Sequence, residues 1–208
     1  MADITLAAFT IFDTPILNTL LRIAAKFYLN VTGWKLVMEG PVARRTVVIA
    51  APHTSNWDMP MTLALVFACR LKIYFLAKQI LFIPPFGIFV RWLGGIPVDR
   101  SKANNFVEQA VALFSVHEDL VLVVPPEGTR KKVRYWKSGF YHIACGAQVP
   151  ITLGFIDFKR KVAGFGGTYI PSGNYEADLV EIQAFYAGIT GKNRAMTSEI
   201  ITTGSTPT

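Results

Sequence analysis

The heptapeptide PHTSNWD, residues 52–58, places an imidazole and a carboxylate five positions apart, immediately after the short apolar run Thr46–Ala51. In a regular helix that spacing leaves two side chains off-register, but across a turn that opens a helix they can meet. A carboxylate bound to one imidazole nitrogen fixes the tautomer and leaves the other nitrogen to accept a proton. His53 and Asp58 are therefore candidates for a general base and its orienting acid, able to activate an acceptor hydroxyl for attack on a carbonyl. The same residues support a plainer reading. Ser55 with Asp58 three residues later resembles a capping box, and His53 can be a satisfied turn histidine.

A second cluster, PPEGTRKK at 125–132, follows the apolar run Leu120–Val124. Glu127, Gly128, Thr129 and Arg130 would put a flexible turn, a hydroxyl and a guanidinium at the carboxyl end of a strand, the edge where ligands of open α/β sheets gather. Arg holds phosphate in bidentate fashion. Five of the eight residues from Arg130 to Lys137 are basic, which suits an anionic partner, although a solvated basic turn has the same composition. A third motif, GGIPVDR at 94–100, ends on Asp99-Arg100. That pair reads either as a surface ion pair of little consequence or as delivery of Arg100 to the edge that carries Arg130.

The elements that must position these residues alternate. Strands are expected at Thr46–Ala51, Ile73–Ala77, Gly95–Val98, Leu120–Val124 and Pro150–Ile156, with helices at Trp57–Cys69, about Lys102–His117 and Ser138–Gly146. Gly164–Gly173 suggests an antiparallel hairpin or an edge, and Asn174 a cap for a helix running to about Gly188. This pattern predicts a single α/β domain with a mostly parallel central sheet flanked by helices, preceded by an amphipathic N-terminal helix. The expected divisions are 1–33 for the N-terminal helical segment, 34–191 for the α/β domain and 192–208 for a flexible tail.

In that N-terminal helix, Ile16, Leu17, Leu20, Leu21, Ala24, Phe27, Tyr28 and Val31 fall at helical spacing, with Asn18, Arg22, Lys26 and Asn30 opposite. It fails the length and charge tests of a membrane span, and suits either a membrane interface or the domain's own core. Ile80–Leu93 is almost wholly apolar but broken by Pro84 and Pro85. It reads as a buried connection, the wall of an acyl channel or a membrane-dipping loop.

The chain has 208 residues, 51% apolar and 17% charged, with a formal charge of +7. That length suits one well-buried domain, and an apolar, basic chain suits an anionic membrane surface or an anionic substrate. Cys69 and Cys145 are too few for a disulfide framework, and no Cys or His spacing reads as a metal site. The N-terminus does not read as a secretory signal, so a reducing, cytoplasmic compartment is the default expectation.

Taken in order, these motifs resemble the glycerolipid acyltransferase family, which includes the 1-acylglycerol-3-phosphate acyltransferases. His53 and Asp58 in HTSNWD match its first block. Ala77–Arg100 is similar to the second, with Lys78, Pro85, Gly87, Gly95 and Arg100 in place. Glu127-Gly128-Thr129-Arg130 matches the third, and Val149-Pro150-Ile151 the short fourth, with Lys137 and Gly139 fitting the helix between. The likeness covers roughly Val37 to Phe155.

The resemblance implies O-acyl transfer from an acyl thioester, on coenzyme A or acyl carrier protein, to a lysophospholipid-type acceptor such as 1-acylglycerol-3-phosphate. His53 would be the base and Asp58 its support. Arg100, Glu127, Gly128, Thr129, Arg130 and Lys78 would bind substrate, with no metal or cofactor. The enzyme would work at the cytoplasmic face of a membrane, as a peripheral or monotopic protein. The first block departs from the family in carrying Thr54, Asn56 and Trp57. The bulky Trp57 beside His53 would reshape the acceptor pocket, which leaves a different lyso-lipid or another hydroxylated or amino acceptor open. Three other readings stand beside this one. The charge suggests a nucleic-acid-binding module, but no nucleic-acid motif appears and no nucleic-acid partner is expected. An acyl-thioester hydrolase would use His53 on water, and a non-catalytic lipid or acyl-carrier binding protein would keep the fold without turnover.

Overall fold

The computed structural model describes residues 6–98 and 103–198. The strands are β1 (Lys35–Met38), β2 (Arg45–Ala51), β3 (Tyr74–Lys78), β4 (Gly95–Val98), β5 (Leu120–Val124), β6 (Ile151–Asp157) and β7 (Val162–Tyr169). They form one sheet in the order β1-β7-β6-β2-β5-β3-β4. Every neighbouring pair is parallel except β6 with β7. The helices are α1 (Pro15–Val31), α2 (Asp58–Cys69), α3 (Phe86–Trp92), α4 (Ala103–Val116), α5 (Gly139–Ala147) and α6 (Tyr175–Tyr186). The expected α/β domain, with a mostly parallel sheet and an N-terminal helix, is what the chain forms.

The central strands are apolar throughout because both their faces are covered. Val47, Ile49 and Ala51 of β2, with Leu120, Leu122 and Val124 of β5, join a core that includes residues of α4, α5 and α6. The alternate residues Val48, Val121 and Val123 join a second core with Leu29 of α1 and Met61, Leu65 and Val66 of α2. Strand alternation thus divides the molecule into three layers.

Two features depart from the sequence reading. Strand β1 was not expected: it is a four-residue edge strand, largely exposed, and so lacks the continuous apolar run that betrays a central strand. The antiparallel hairpin expected from Gly164 onward is present as β7 against β6, with the glycines from Gly164 to Gly167 inside the strand. A Cβ on Gly164 would overlap the Val37 carbonyl oxygen, so this glycine allows β1 to close against β7. Finally, Ile80–Leu93 is not a buried connection. It forms a 3-10 turn, Gln79–Phe82, and then α3, with Ile80 70%, Phe86 74% and Ile88 75% exposed.

Helix α1 divides its apolar residues between two faces. Ala25 and Leu29 are buried, and Leu17 and Leu21 pack into the cluster formed by Ile11, Ala25 and Phe67 of α2. A second strip, Ile16, Leu20, Ile23, Phe27 and Val31, faces outward. The stretch expected to be a tail is described as far as Ser198, and over that span it packs back on the domain through Asn193 and Ser198.

Helix α6 starts, as expected, at Asn174, whose side chain accepts from the Ala177 N–H at 3.2 Å. It is locked by the buried carboxylate of Asp178. The Tyr141 hydroxyl (2.7 Å) and the Ser172 N–H (2.7 Å) donate to Oδ2, and the Tyr169 hydroxyl (3.0 Å) and the Ser172 hydroxyl (2.6 Å) to Oδ1. Burial alone would push this carboxyl up, but the donors from Ser172, Tyr141 and Tyr169 hold it below the ordinary carboxylate range. A depressed folded-state value adds stability above the unfolded carboxyl pKa, and that stability is lost as pH falls through the folded value. Replacing Asp178 with Asn sets a donor amide among donors. It should cost about 2–4 kcal/mol in urea unfolding at neutral pH, with the gap to wild type narrowing in acid.

Candidate active site

Because β2, β5, β3 and β4 are parallel neighbours, their carboxyl ends open on one edge of the sheet. The His53 loop leaves β2, the Glu127 loop leaves β5, and Lys78 closes β3. The peptide between Ala51 and Pro52 is cis.

His53 and Asp58 meet. Nδ1 of the imidazole lies 3.1 Å from Asp58 Oδ2, with the His53 side chain 25% exposed and that of Asp58 7%. The same oxygen accepts the backbone N–H of Thr54 at 2.7 Å and of Ser55 at 2.8 Å. Asp58 is the first residue of α2, where the helix dipole also favours a negative charge. The carboxylate thus draws the loop around itself and turns the ring so that Nδ1 is engaged and Nε2 is left to take a proton. The capping-box alternative survives only as part of this arrangement: Asp58 binds the loop's N–H groups and the imidazole together.

Glu127, expected among the substrate-binding residues, points the other way. It is 2% exposed, and its Oε1 accepts the His53 backbone N–H at 3.1 Å. Oε2 is buried and finds no hydrogen-bond partner among the described residues. Burial holds this carboxyl above its ordinary value, against the opposing bond from His53 N–H. Tyr186 at the end of α6 feels the charge from inside, and its hydroxyl donates to the Gly154 carbonyl at 3.1 Å. Glu127 therefore ties the β5 loop to the backbone of His53, with its carboxylate buried.

Gly128 turns the chain outward with φ +63, a conformation that suits glycine, and its N–H donates to the Pro125 carbonyl at 3.2 Å. Thr129, Arg130, Lys131 and Lys132 follow as an exposed cationic loop. The Lys137 N–H closes that loop onto the Pro126 carbonyl at 2.9 Å. Lys78 is exposed on the same edge, but β5 stands between β3 and β2, so its backbone sits roughly 10 Å away at ordinary strand spacing. Arg100 lies outside the described residues. The structure thus brings His53, Asp58 and Glu127 into contact, with Gly128, Thr129 and Arg130 leading directly outward from them.

The acyltransferase family model matches residues 29–152, more than half of the chain and every motif named above. The chain belongs to the acyltransferase family. Among curated proteins there is no match. The crystal structure of the 1-acyl-sn-glycerophosphate (LPA) acyltransferase PlsC from Thermotoga maritima is similar, with a TM-score of 0.57 and 22% sequence identity. The likeness covers 81% of this chain and 76% of that one, and at such identity it speaks for the fold.

Two apolar spaces flank α2, which begins at Asp58. A cavity of about 50 Å³ between α2 and the sheet is lined by His53, Asp58, Thr62, Leu65, Gly154 and Phe155, among others. On the other side of α2, a groove of about 540 Å³ runs between α1, α2 and α3, lined by Leu21, Tyr28, Trp57, Met61, Phe89 and Trp92 among others. Trp57, expected to shape the acceptor pocket, is 60% exposed and lines this groove. The exposed strip of α1 and the exposed Phe86 and Ile88 of α3 belong to helices that border it, and Ile80, Leu81 and Ile83 are exposed in the turn that precedes α3.

Sequence reasoning missed the inward turn of Glu127 and the side chain of Thr54, which is 6% exposed and accepts the Asn193 N–H at 3.2 Å. Neither leaves a local signal, since the partners stand 74 and 139 residues away along the chain. Because the folded state holds Glu127 above its unfolded value, stability should fall as pH rises through and beyond the ordinary carboxyl range. Urea unfolding of wild type and Glu127→Gln from about pH 4 to about pH 8 checks this. The wild-type decline should be shallower in the Gln variant.

Proposed function

We propose that this acyltransferase moves a fatty acyl group from an acyl thioester, on coenzyme A or acyl carrier protein, to a hydroxyl of a lysophospholipid-type acceptor. The observation that carries the reading is the contact of His53 Nδ1 with buried Asp58 at an edge shared by a cationic loop and flanked by apolar surface. His53 Nε2 takes the proton of the acceptor hydroxyl as its oxygen attacks the thioester carbonyl, and Asp58 stabilises the imidazolium that forms. Collapse of the tetrahedral intermediate breaks the C–S bond, and the imidazolium returns its proton to the departing thiolate. The product is the ester and the free thiol, and the steps use groups of this chain and two substrates only.

Arg130, exposed on the loop leading out from Glu127, is the group suited to an acceptor phosphate. The PlsC neighbour is named for 1-acyl-sn-glycerophosphate, which makes 1-acylglycerol-3-phosphate the first acceptor to test. Gly128 and Thr129 complete the acceptor loop, with Lys78 from a neighbouring strand end, and the family resemblance adds Arg100 to the acceptor-binding residues. Glu127 contributes by holding the His53 backbone.

No helix of the described residues is long and apolar enough to cross a membrane. The outward strip of α1 and the apolar residues of Ile80–Phe89 support a peripheral seat in the interface of a membrane's cytoplasmic face, where both substrates present their chains.

An acceptor panel with labelled acyl thioester tests the reaction. His53→Ala should lower transfer at least about a hundredfold, and Arg130→Ala should mainly raise the KM of phosphate-bearing acceptors. Full transfer by His53→Ala removes the mechanism, and free fatty acid in place of acylated acceptor makes the enzyme a hydrolase. Liposome flotation tests the seat: replacing exposed Leu20, Ile23 and Phe27 with Ser should release a still-folded protein from vesicles.

A further inference from the structure

The segment that follows α6 does not leave the domain. The Phe158 N–H at the end of the sheet donates to the Thr190 carbonyl at 2.9 Å, and Gly191 is buried. A 3-10 turn at Arg194–Met196 then closes the segment on itself, the Gly191 N–H donating to Thr197 Oγ1 at 3.2 Å. Two outward bonds attach this segment to the acyltransferase's site. The Asn193 N–H donates to Thr54 Oγ1 at 3.2 Å, and Ser198 Oγ accepts the Val133 N–H at 3.1 Å. Thr54 is the residue after the base, and Val133 lies inside the cationic run Arg130–Lys137.

We propose that residues 190–198 form a strap that fixes the base loop and the cationic loop relative to each other, with Thr54 as its positioning residue. The inference rests on the reading of His53 as the general base. Thr54 works on two sides. Its backbone N–H donates at 2.7 Å to Asp58 Oδ2, the oxygen that lies 3.1 Å from His53 Nδ1. Its buried hydroxyl receives the strap. A shift of Thr54 therefore turns the peptide joining it to His53 and moves the carboxylate's nearest donor. Ser198 does the same for the far side, anchoring the loop that carries Arg130 at its third residue beyond that arginine.

Gly191 is the independent mark of this contact. A Cβ there would stand 2.5 Å from Thr54 Oγ1 and 2.7 Å from Thr54 Cγ2, closer than a side-chain carbon can approach. Only glycine lets the strap lie against the threonine. At position 54 the hydroxyl accepts the strap's N–H, and the methyl lies on the side of Gly191.

Steady-state kinetics on Thr54→Val, Thr54→Ser, Gly191→Ala and Ser198→Ala, with His53→Ala alongside, tests the strap. Thr54→Val keeps the shape and removes the acceptor. It should lower kcat roughly ten- to a hundredfold, as loss of a positioning contact does, with the donor KM little changed and the acid limb of the kcat/KM pH profile displaced. Thr54→Ser, which restores the hydroxyl, should recover most of that loss. Gly191→Ala should act in the direction of Thr54→Val, and Ser198→Ala should raise the acceptor KM more than it lowers kcat. A Thr54→Val enzyme with wild-type kcat and pH profile overturns the proposal, as does equal impairment of the Val and Ser variants. If Thr54→Val does not fold, an unchanged kcat in Gly191→Ala overturns it instead. Activity retained by His53→Ala would defeat the general-base reading. Its loss there beside a fully active Thr54→Val defeats the strap alone.

Discussion

One carboxylate oxygen organises the site. Asp58 Oδ2 stands within hydrogen-bond reach of the His53 ring and of the Thr54 and Ser55 N–H groups, at the first residue of α2. Each of those donors fixes a different freedom. The ring nitrogen sets the tautomer and the two N–H groups set the path of the loop, while the helix end favours the charge that the side chain carries. An amide at this position would keep the shape and lose the charge that supports an imidazolium. The loop between β2 and α2 is therefore built around Asp58 as much as around His53.

The next constraint comes from the sheet. Parallel neighbours release their chains at one edge, so loops far apart in sequence must share a small space there. Glu127 uses that crowding. Its carboxylate is buried, held above its ordinary range by burial, and bonded to the His53 backbone. A half-partnered carboxyl in an apolar interior destabilises the fold. At this site it joins the end of β5 to the His53 backbone, so the loop that carries Arg130 begins at a fixed point relative to His53. Tyr186 and Gly154 pack behind the same place from α6 and β6.

Around this polar centre the molecule leaves unusual amounts of apolar side chain uncovered. Helix α1 spends one strip on α2 and keeps Ile16, Leu20, Ile23, Phe27 and Val31 outside, while α3 and the turn before it expose Ile80, Phe86 and Ile88. Helices α1 and α3 border one groove, and Trp57 reaches it from the loop that carries His53. Water solvates such a surface poorly, whereas a bilayer interface or acyl chains would cover it. The fold therefore sets the His53–Asp58 pair beside an apolar groove, with the first turns of α2 forming a wall of each.

Much of this was legible in the residues alone, for reasons that are local. The strands at 120–124 and 95–98 and the helices beginning near Asp58, Gly139 and Asn174 follow from runs, periods and caps that act within a few residues. The His53–Asp58 pair was legible because the turn that joins them is short. What the residues did not reveal depends on partners brought close only by strand order. Strand β1 is an edge without a continuous apolar run, and α1 has more apolar surface than one neighbour can cover. Glu127 and Thr54 bond residues 74 and 139 positions away. Periodicity tells which side chains share a face, and spacing tells which can meet across a turn. Neither tells which face of which element will arrive opposite, because packing settles that over the whole sheet at once.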